Sequence, residues 1–435
     1  MHEFCTAARG GVMYDFMLDE EARAARDELR ELVKTEVDPE YLRRMDRDEI
    51  KFPRGLFETF ARRNTLGLRF PREYGGRGLS WVAECAAMEE VGVLGTAAGC
   101  CYVMPSIVGE SLHVFGSEEQ KQRYLAPMLA GDKVAAEALT EPRGGSDFFG
   151  ASSRAEDRGD HFVVRGMKRF IVGAEGADFF LAYVRTNHDE DARPDRRISA
   201  MLIDRGPGVE VKYLYGLMGT RGGGTGRVVF RDVEVPKENL IGELHGGAEV
   251  FNTMMVPERL CSAAPITGGM RACLDVAMKY ASRRKAFGRP IRKFQAVSFM
   301  VADAQTLLDT SRAMIYQAAR AADAGAPNLR RIVSETKKAV TDAGWEVSNL
   351  AMQITGGIGY TDVYPIERAV RDMRLAQIWT GTNEIMSALI QHEAFAEAAA
   401  EKGTYRDFEL DAMHVDDAEK IFDDDDMWRV YEAGE

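Results

Sequence analysis

The sequence lacks the apolar runs and the cysteine pairs that would place it in a membrane or an oxidising compartment. No apolar stretch approaches the roughly 20 residues of a membrane-spanning helix. The first residues, MHEFCTAARGGVMYDF, have neither the apolar core of a secretory signal nor the Arg- and Ser-rich pattern of a transit peptide. The six cysteines show no CxxC or Cys/His spacing, so no metal site is expected. We therefore predict a cytoplasmic protein with reduced thiols and no membrane span.

Positive charge is also scarce. The chain has 56 Lys and Arg against 69 Asp and Glu, a formal net charge of -13. Nucleic-acid binding depends on cations that neutralise phosphates, so this balance argues against a nucleic-acid partner. Much of the acidic excess lies in residues 401–435, including the run Asp423–Asp426. Such a segment is typical of a solvated, partly disordered tail, and a docking role for Met427, Trp428 and Tyr431 is the alternative.

A dinucleotide-binding βαβ unit is missing as well. No GxGxxG motif follows a predicted strand and opens a helix, and we find no internal repeat. A Rossmann-type nucleotide site is therefore not expected. At 435 residues, the chain is long enough for two or three structural units.

Periodicity divides the chain into helical, β and helical regions. Apolar residues recur at helical spacing up to about residue 135, and short alternating runs separated by Gly, Asp and Pro follow. Long amphipathic stretches then cover 248–284, 291–324, 329–354 and 366–400. The pattern predicts a mainly α protein with a central antiparallel β domain. Its predicted parts are an N-terminal helical domain (1–135), a β domain (136–246), a helical bundle (247–400) and an acidic tail (401–435).

Three motifs occur in a fixed order along the chain. They are ALTEPRGGSD at Ala138–Asp147, RKAFGRPI at Arg284–Ile291 and IWTGTNE at Ile378–Glu384. Each alone would be a Gly-rich turn or a basic helix end. Together they resemble the acyl-CoA dehydrogenase family of flavoenzymes, over about residues 14–397. The resemblance implies FAD as cofactor, a barrel-like β domain and a C-terminal four-helix bundle.

The first motif and a later strand would hold the flavin. By this resemblance, the flavin contacts are Leu139, Thr140, Gly145, Ser146, Phe170, Ile171 and Val172. Ser146 would also contact the acyl-CoA. The segment KRFIV resembles the family's KxWIT strand, so Phe170 replaces a tryptophan that packs against the flavin. Val172 replaces a threonine whose hydroxyl lies near the reactive flavin nitrogen.

A second set of flavin contacts reaches across a subunit interface in the family. Its counterparts here are Arg284, Phe287, Gln295, Gln353, Gly356 and Gly357, with Thr382 and Glu384 beside the last flavin contacts. A guanidinium such as that of Arg284 can pair bidentately with pyrophosphate oxygens. A basic helix end and a Gly-terminated helix are the alternative reading. The resemblance implies a homo-oligomer, a tetramer, in which each site takes residues from two chains.

Thr380 occupies the position of the family's most familiar catalytic glutamate. A threonine hydroxyl cannot serve as the base, but the backbone N–H of Thr380 can still stabilise a thioester oxygen. Isovaleryl- and long-chain-type members place the glutamate on the first helix of the C-terminal bundle, beside an arginine. Glu258 and Arg259 match this pair, so Glu258 is the predicted base and Arg259 a substrate or structural contact. The alternative is a first-turn glutamate after Pro257, favoured there by the helix dipole.

The resemblance implies α,β-desaturation of an acyl-CoA, with electrons passed to an electron-transfer flavoprotein. The segment Thr96–Met104, which would line the acyl cavity, carries no charge, so a neutral acyl group is expected. Trp379 and Gly381 would contact the substrate, and Trp379 would favour short, branched or cyclic groups unless it only packs in the bundle. The same architecture also serves enoyl-CoA reductases, acyl-ACP dehydrogenases, flavin monooxygenases and non-catalytic flavin-binding members. A base such as Glu258 argues against the monooxygenase.

Overall fold

The computed structural model describes residues 15–400 together with Thr404, Arg406 and Phe408. The chain divides into two compact units, 1–390 and 391–435, and the fold below is that of the first. The predicted acidic tail, with Asp423–Asp426, Met427, Trp428 and Tyr431, lies outside the described residues apart from those three positions. Within the described part of the chain, no helix has the length and apolar character needed to cross a membrane.

Seven α-helices form the described part of the N-terminal domain, from residue 15 onward. They are α1 (Glu20–Glu36), α2 (Pro39–Asp46), α3 (Arg54–Arg62), α4 (Trp81–Gly92), α5 (Thr96–Phe115), α6 (Glu118–Gln120) and α7 (Ala126–Ala130). Side-chain caps define two of the starts. Oδ1 of Asp19 accepts a hydrogen bond of 2.8 Å from the backbone N–H of Ala22, and Oγ of Ser80 accepts one of 3.1 Å from Ala83. Every residue of α4 is buried, so this helix is the centre of the domain.

Eight strands form the middle domain. They are β1 (Ala135–Ala138), β2 (Arg154–Asp157), β3 (His161–Ile171), β4 (Phe179–Arg185), β5 (Ile198–Asp204), β6 (Val209–Leu214), β7 (Gly226–Pro236) and β8 (Leu240–Ile241). They pair in the order β6-β7-β3-β2-β4-β5-β8, and β1 lies beside β4. Most pairs are antiparallel as predicted, but β4 runs parallel to β1 and β2. A parallel pair needs a long connection, and the chain between β1 and β4 is long enough to return in the same direction.

Strand β4 is buried on both faces because it lies between two cores. Phe180, Ala182 and Val184 pack inside the sheet, whereas Phe179, Leu181 and Tyr183 pack against the helical domains. The alternation of side chains along a strand accounts for this division. The face that carries Tyr183 therefore points toward the helices, and the site lies on this side.

The C-terminal domain consists of long helices. After α8 (Gly247–Arg283) and the short hairpin β9 (Lys285–Ala286) and β10 (Arg289–Pro290) come α9 (Gln295–Asp323), α10 (Leu329–Thr355), α11 (Ile366–Ala376) and α12 (Asn383–Ala400). Small residues bring α4 and α8 together, because a Cβ on Gly92 would collide with the carbonyl oxygen of Pro265. The predicted order of helical, β and helical domains is confirmed.

One predicted helical stretch is wrong in its continuity. The stretch 366–400 breaks into α11 and α12, with a loop over residues 377–382 between them. Thr380 (φ 51°) and Gly381 (φ 81°) both have left-handed backbone conformations, which a right-handed helix cannot contain. The break places this loop beside α8 and α10, where it borders the site.

Candidate active site

A cavity of about 690 Å³ lies between the β domain, α5, α8 and the loop 377–382. Its volume is in the range of cofactor and substrate sites. The predicted site residues that line it are Leu139, Thr140, Gly145, Ser146, Phe170, Ile171, Val172, Glu258, Arg259, Trp379, Thr380, Gly381 and Thr382. The structure therefore brings together residues that are more than 200 positions apart in the sequence.

Glu258 lies in α8 with its carboxyl group in the cavity wall. The residue is 8% exposed, and Oε2 has no hydrogen-bond partner among the described residues. Burial raises the pKa of Glu258 to about 7, against the opposing effect of the Arg259 and Lys337 cations. A carboxylate with a pKa near neutrality and an unpaired oxygen is suited to accept a proton from a ligand. This arrangement suits the general-base role predicted for Glu258.

Arg259 lies next to Glu258 but is held by the protein. Its Nη1 donates a hydrogen bond of 2.9 Å to Oγ of Ser334 on α10. The residue is buried and also lines the cavity. Arg259 thus contributes positive charge to the surroundings of Glu258 and links α8 to α10.

Lys337 holds the loop that carries Thr380 in place through hydrogen bonds. The side chain of Lys337 is fully buried, and Nζ donates to the carbonyl oxygen of Gly381 at 2.8 Å and to Oδ1 of Asn383 at 2.9 Å. Asn383 in turn donates to Oγ1 of Thr341 at 3.0 Å and to Oδ1 of Asp342 at 2.8 Å. Sequence reasoning missed this lysine. The available signal was its place among Val333, Val340 and Val347 on the apolar face of α10.

Two polar atoms of this loop are placed to contact a ligand. Oγ1 of Thr380 and Nε1 of Trp379 are buried, and neither has a hydrogen-bond partner within the described part of the chain. Unpaired buried polar groups are uncommon in native proteins. Both residues line the cavity, so a bound cofactor or substrate is the natural source of the missing partners.

The wall formed by the first motif depends on a buried ion pair. Nζ of Lys168 lies 2.8 Å from Oε1 of Glu141 and also donates to the carbonyl oxygens of Leu139 (3.1 Å) and Tyr183 (2.6 Å). Burial raises the pKa of Glu141, but Lys168 and the donors of Ser152 lower it to about 2. The pair anchors the backbone just before Thr140. Sequence reasoning assigned it no role, although both charges lie within the motifs.

Phe170 has an unusual conformation for an aromatic residue. It lies in the left-handed region (φ 59°) at an irregularity in the pairing of β3 with β7, between Lys168 and Ile171. The side chain is 49% exposed, and its ring centroid lies 4.8 Å from that of Tyr215. Phe170 also lines the cavity, so its exposed ring is available to contact a ligand.

The second predicted set of flavin contacts lies away from this cavity. Its members are exposed on the surface: Arg284, Phe287, Gln295, Gln353, Gly356, Gly357 and Glu384. Phe287 is 94% exposed. The structure therefore separates the predicted flavin residues into a group in the cavity and a group on the surface.

A second carboxyl group in the cavity was not foreseen. Glu137, on β1, lines the same cavity as Glu258, and its Oε1 is buried without a hydrogen-bond partner among the residues described. Burial and the charge of Glu258 raise the pKa of Glu137 well above its usual range, while Lys168 opposes this shift. The residue directly precedes the first motif, but its type gave no signal of function.

Three family models match the chain in succession. The N-terminal domain of acyl-CoA dehydrogenase matches residues 19–132, the middle domain 136–233 and the C-terminal domain 245–395. The protein belongs to the acyl-CoA dehydrogenase family, a family of flavoprotein oxidoreductases.

Curated relatives cover most of the chain. Mitochondrial isovaleryl-CoA dehydrogenase of Oryza sativa subsp. japonica is 35% identical over 80% of this chain and 85% of its own length. The 3-(aryl)acrylate reductase of Clostridium sporogenes is 34% identical over 78% of this chain and 90% of its own length. Subunit CarC of the caffeyl-CoA reductase-Etf complex of Acetobacterium woodii is 33% identical over 85% of this chain and 97% of its own length. Dehydrogenases and reductases therefore both occur among the relatives.

Solved structures share the fold. Butyryl-CoA dehydrogenase from Megasphaera elsdenii has a TM-score of 0.81 and 28% identity, covering 87% of this chain and 99% of that chain. PigA with FAD and proline has a TM-score of 0.81 and 25% identity, covering the same shares. The fold is thus shared by a butyryl-CoA dehydrogenase and by a protein solved with FAD and proline.

Proposed function

We propose that this protein is an FAD-dependent acyl-CoA dehydrogenase in which Glu258 removes the α-proton of the acyl group. The observation that carries the proposal is the buried carboxyl of Glu258, whose Oε2 has no partner among the described residues, in a cavity that the Thr380 loop also lines. The proposed product is the α,β-unsaturated acyl-CoA. The proposed electron acceptor is an electron-transfer flavoprotein, and the Etf complex that contains the A. woodii relative supports this choice.

The cavity suits a flavin. The exposed face of Phe170, the motif residues Leu139 and Thr140 and the volume of about 690 Å³ match a planar ring with a substrate against it. Leu139, Thr140, Phe170, Ile171 and Val172 would hold the ring, with Gly145, Ser146 and Thr382 toward the rest of the cofactor. FAD, when bound, supplies the acceptor for the β-hydride.

The residues of the chain supply the proton chemistry. Glu258 accepts the α-proton, which is removable only while the thioester oxygen is stabilised. The backbone N–H of Thr380 is the donor for that oxygen, a contribution of about 2.7–4 kcal/mol in comparable sites. Trp379, Gly381 and Ser146 border the substrate, and the apolar walls exclude water. These roles agree with a neutral, short, branched or cyclic acyl group.

The surface group of flavin residues supports a homo-oligomer. Arg284, Phe287 and Gln295 are exposed and lie outside the cavity, so they are free to complete the site of a second chain. We propose a tetramer in which they and the segment Gln353–Gly357 contact the FAD of a neighbour. Sedimentation of the FAD-loaded protein, compared with Phe287→Ala, tests this arrangement: a wild-type monomer that retains FAD would contradict it.

The reverse reaction is the second candidate function. Two relatives are named as reductases, so the same site could reduce an enoyl-CoA with Glu258 returning the proton. Anaerobic mixing of the protein with a panel of acyl-CoAs decides the matter, because a dehydrogenase bleaches its oxidised flavin with a saturated thioester. The proposal would be contradicted if no acyl-CoA bleached the flavin, or if only an acyl-ACP did. If enoyl-CoA reoxidises reduced flavin but no acyl-CoA bleaches it, the result would favour a reductase. If neither reaction occurs, it would favour a non-catalytic family member.

A further inference from the structure

Glu137 faces the cavity from β1, and the opposite face of this strand packs into the core of the β domain. Ala136 and Ala138 pack into the core inside the β domain, so alternation along β1 directs Glu137 to the opposite face. Its register partner on β4 is Leu181, whose side chain belongs to the core shared with the helices. Glu137 is therefore on the same side as Glu258, and the proposed mechanism assigns it no role.

The nearest cation does not satisfy Glu137. An ammonium group has three donors, and those of Lys168 go to Glu141, to the carbonyl oxygen of Leu139 and to that of Tyr183. Oε1 of Glu137 is consequently buried with no partner among the described residues. A buried polar atom left in this state is costly, so a ligand that supplies the partner gains affinity.

Glu137 and Glu258 lie close enough to influence the same neighbours. Burial raises the pKa of Tyr183 well above its usual range, and the charges of Glu137 and Glu258 raise it further. Burial raises the pKa of both carboxyls, and the charge of Glu258 also raises that of Glu137. This direction favours the protonated form of Glu137. A protonated carboxyl offers one O–H donor and an acceptor oxygen, which suits a neutral polar partner.

Part of the wall near these carboxyls is apolar. The rings of Phe148 and Phe251 stack with centroids 4.0 Å apart, and Phe148 lies 5.2 Å from the ring of Tyr183. Phe148, Phe251 and Met255 all line the cavity. A polar substituent on the acyl group would lose its hydration here unless a protein group replaced the lost hydrogen bond.

We propose that Glu137 is a specificity-determining residue of the acyl cavity, which hydrogen-bonds a hydroxyl or carbonyl substituent on the acyl group. The inference rests on the proposed function and narrows it to a neutral acyl-CoA with a polar substituent. A negatively charged substituent would be repelled by the carboxylate of Glu258. An apolar acyl group would leave Glu137 unpaired.

The test compares pentanoyl-CoA with 4-hydroxypentanoyl-CoA and 4-oxopentanoyl-CoA, which have the same chain length. The FAD-loaded wild type is expected to prefer a substituted substrate by about tenfold or more in kcat/KM, measured by flavin bleaching. Glu137→Leu should abolish the preference. Glu137→Gln should keep most of it, because an amide also donates and accepts. Glu156→Gln on β2 is the control, because Glu156 is half-buried but lies outside the cavity, and it should behave as wild type.

Binding to Glu258→Gln separates this inference from the proposed function. Equilibrium titration of its flavin spectrum does not need turnover, so affinities for the three thioesters can be compared with and without Glu137→Leu. A substituted-to-unsubstituted affinity ratio that Glu137→Leu leaves unchanged would overturn the inference, even if the wild type bleaches. A ratio that falls supports it, even if no thioester reduces the flavin. Should Glu137→Leu fail to fold, Glu137→Met takes its place.

Two other results would also overturn the inference. A change in flavin reduction potential in Glu137→Leu without a change in the substrate ratio would show that Glu137 acts on the cofactor. A preference for 4-aminopentanoyl-CoA over the hydroxy and oxo compounds would show that Glu137 binds as a carboxylate.

Discussion

Nζ of Lys337 donates a 2.8 Å hydrogen bond to the carbonyl oxygen of Gly381, the residue directly after Thr380. The same lysine lowers the pKa of Glu258 through its charge. One buried cation thus supports the loop that carries the proposed oxyanion donor and influences the proposed base. Lys337 is a positioning residue, since its donors contact the loop itself.

Lys337→Met is expected to slow flavin reduction by acyl-CoA by about 10²-fold, because the Thr380 loop loses its support. It should also lower the free energy of unfolding by about 1–3 kcal/mol, because acceptors of Gly381 and Asn383 lose their donor. Loss of the cation should move the pH midpoint of flavin reduction upward. Stopped-flow bleaching across pH and thermal unfolding measure these effects.

The matched control for this variant is Lys279→Met. Lys279 is exposed on α8 and pairs with Asp275 at 2.6 Å. It should leave both the rate and the pH midpoint unchanged. A Lys337→Met protein that is less stable but has an unchanged pH midpoint would limit Lys337 to a structural role.

Flavin reduction is expected to depend on pH through Glu258. Because the base must be ionised and its pKa is about 7, the rate should rise about tenfold per pH unit below neutrality and level off above it. Pre-steady-state rates at subsaturating acyl-CoA between pH 5 and 9 measure the profile. A rate independent of pH through this range would contradict the assignment.

Thr380→Gly is expected to stabilise the protein and keep it active. A β-branched residue at φ 51° is strained, and its hydroxyl is buried without a partner, so the change should add about 1 kcal/mol to the free energy of unfolding. Flavin reduction should persist, since the donor is the backbone N–H. The control is Thr361→Gly, at an ordinary φ of -110°, which should destabilise. Loss of activity in Thr380→Gly alone would assign a function to the hydroxyl.

Lys168→Met is expected to destabilise the β domain and weaken FAD binding. It leaves the carboxylate of Glu141 buried without its cation, at a cost of about 3–5 kcal/mol. The surface pair of Lys237 with Asp157 is the control, and Lys237→Met should cost at most about 1 kcal/mol. Denaturant unfolding and flavin content report the difference. Equal effects of the two variants would show that the buried pair has no special role.

The same ion pair makes the free energy of unfolding of the wild type depend on pH under acidic conditions. The pKa of Glu141 is lowered from its ordinary 4.5 to about 2, so its stabilisation is complete above pH 4.5 and is lost as the pH falls toward 2. The stability of Lys168→Met should fall less steeply over this interval. A wild-type stability unchanged between pH 4.5 and 2.5 would contradict this account.

Local patterns predicted the fold and the motif residues because both depend on short-range sequence. Helical spacing identified α8, α9 and α10 closely, and the motif at Ala138–Asp147 identified one wall of the cavity. The break between α11 and α12 was missed, since apolar spacing continues through residues whose backbone is left-handed. The role of Lys337 arises from a hydrogen bond to Gly381, 44 positions away, and Glu137 is influenced by the charge of Glu258, 121 positions away. Such proximity follows from tertiary packing, which spacing does not encode.

The most direct test of the central claim is anaerobic flavin bleaching by acyl-CoA in Glu258→Gln, alone and combined with Thr380→Glu. Glu258→Gln should bind FAD and acyl-CoA but reduce its flavin about 10²–10⁴-fold more slowly than wild type, because an amide cannot accept the proton. Adding Thr380→Glu, which places a carboxyl at the alternative position in the same cavity, should restore part of the rate. Bleaching of Glu258→Gln at the wild-type rate would contradict the account.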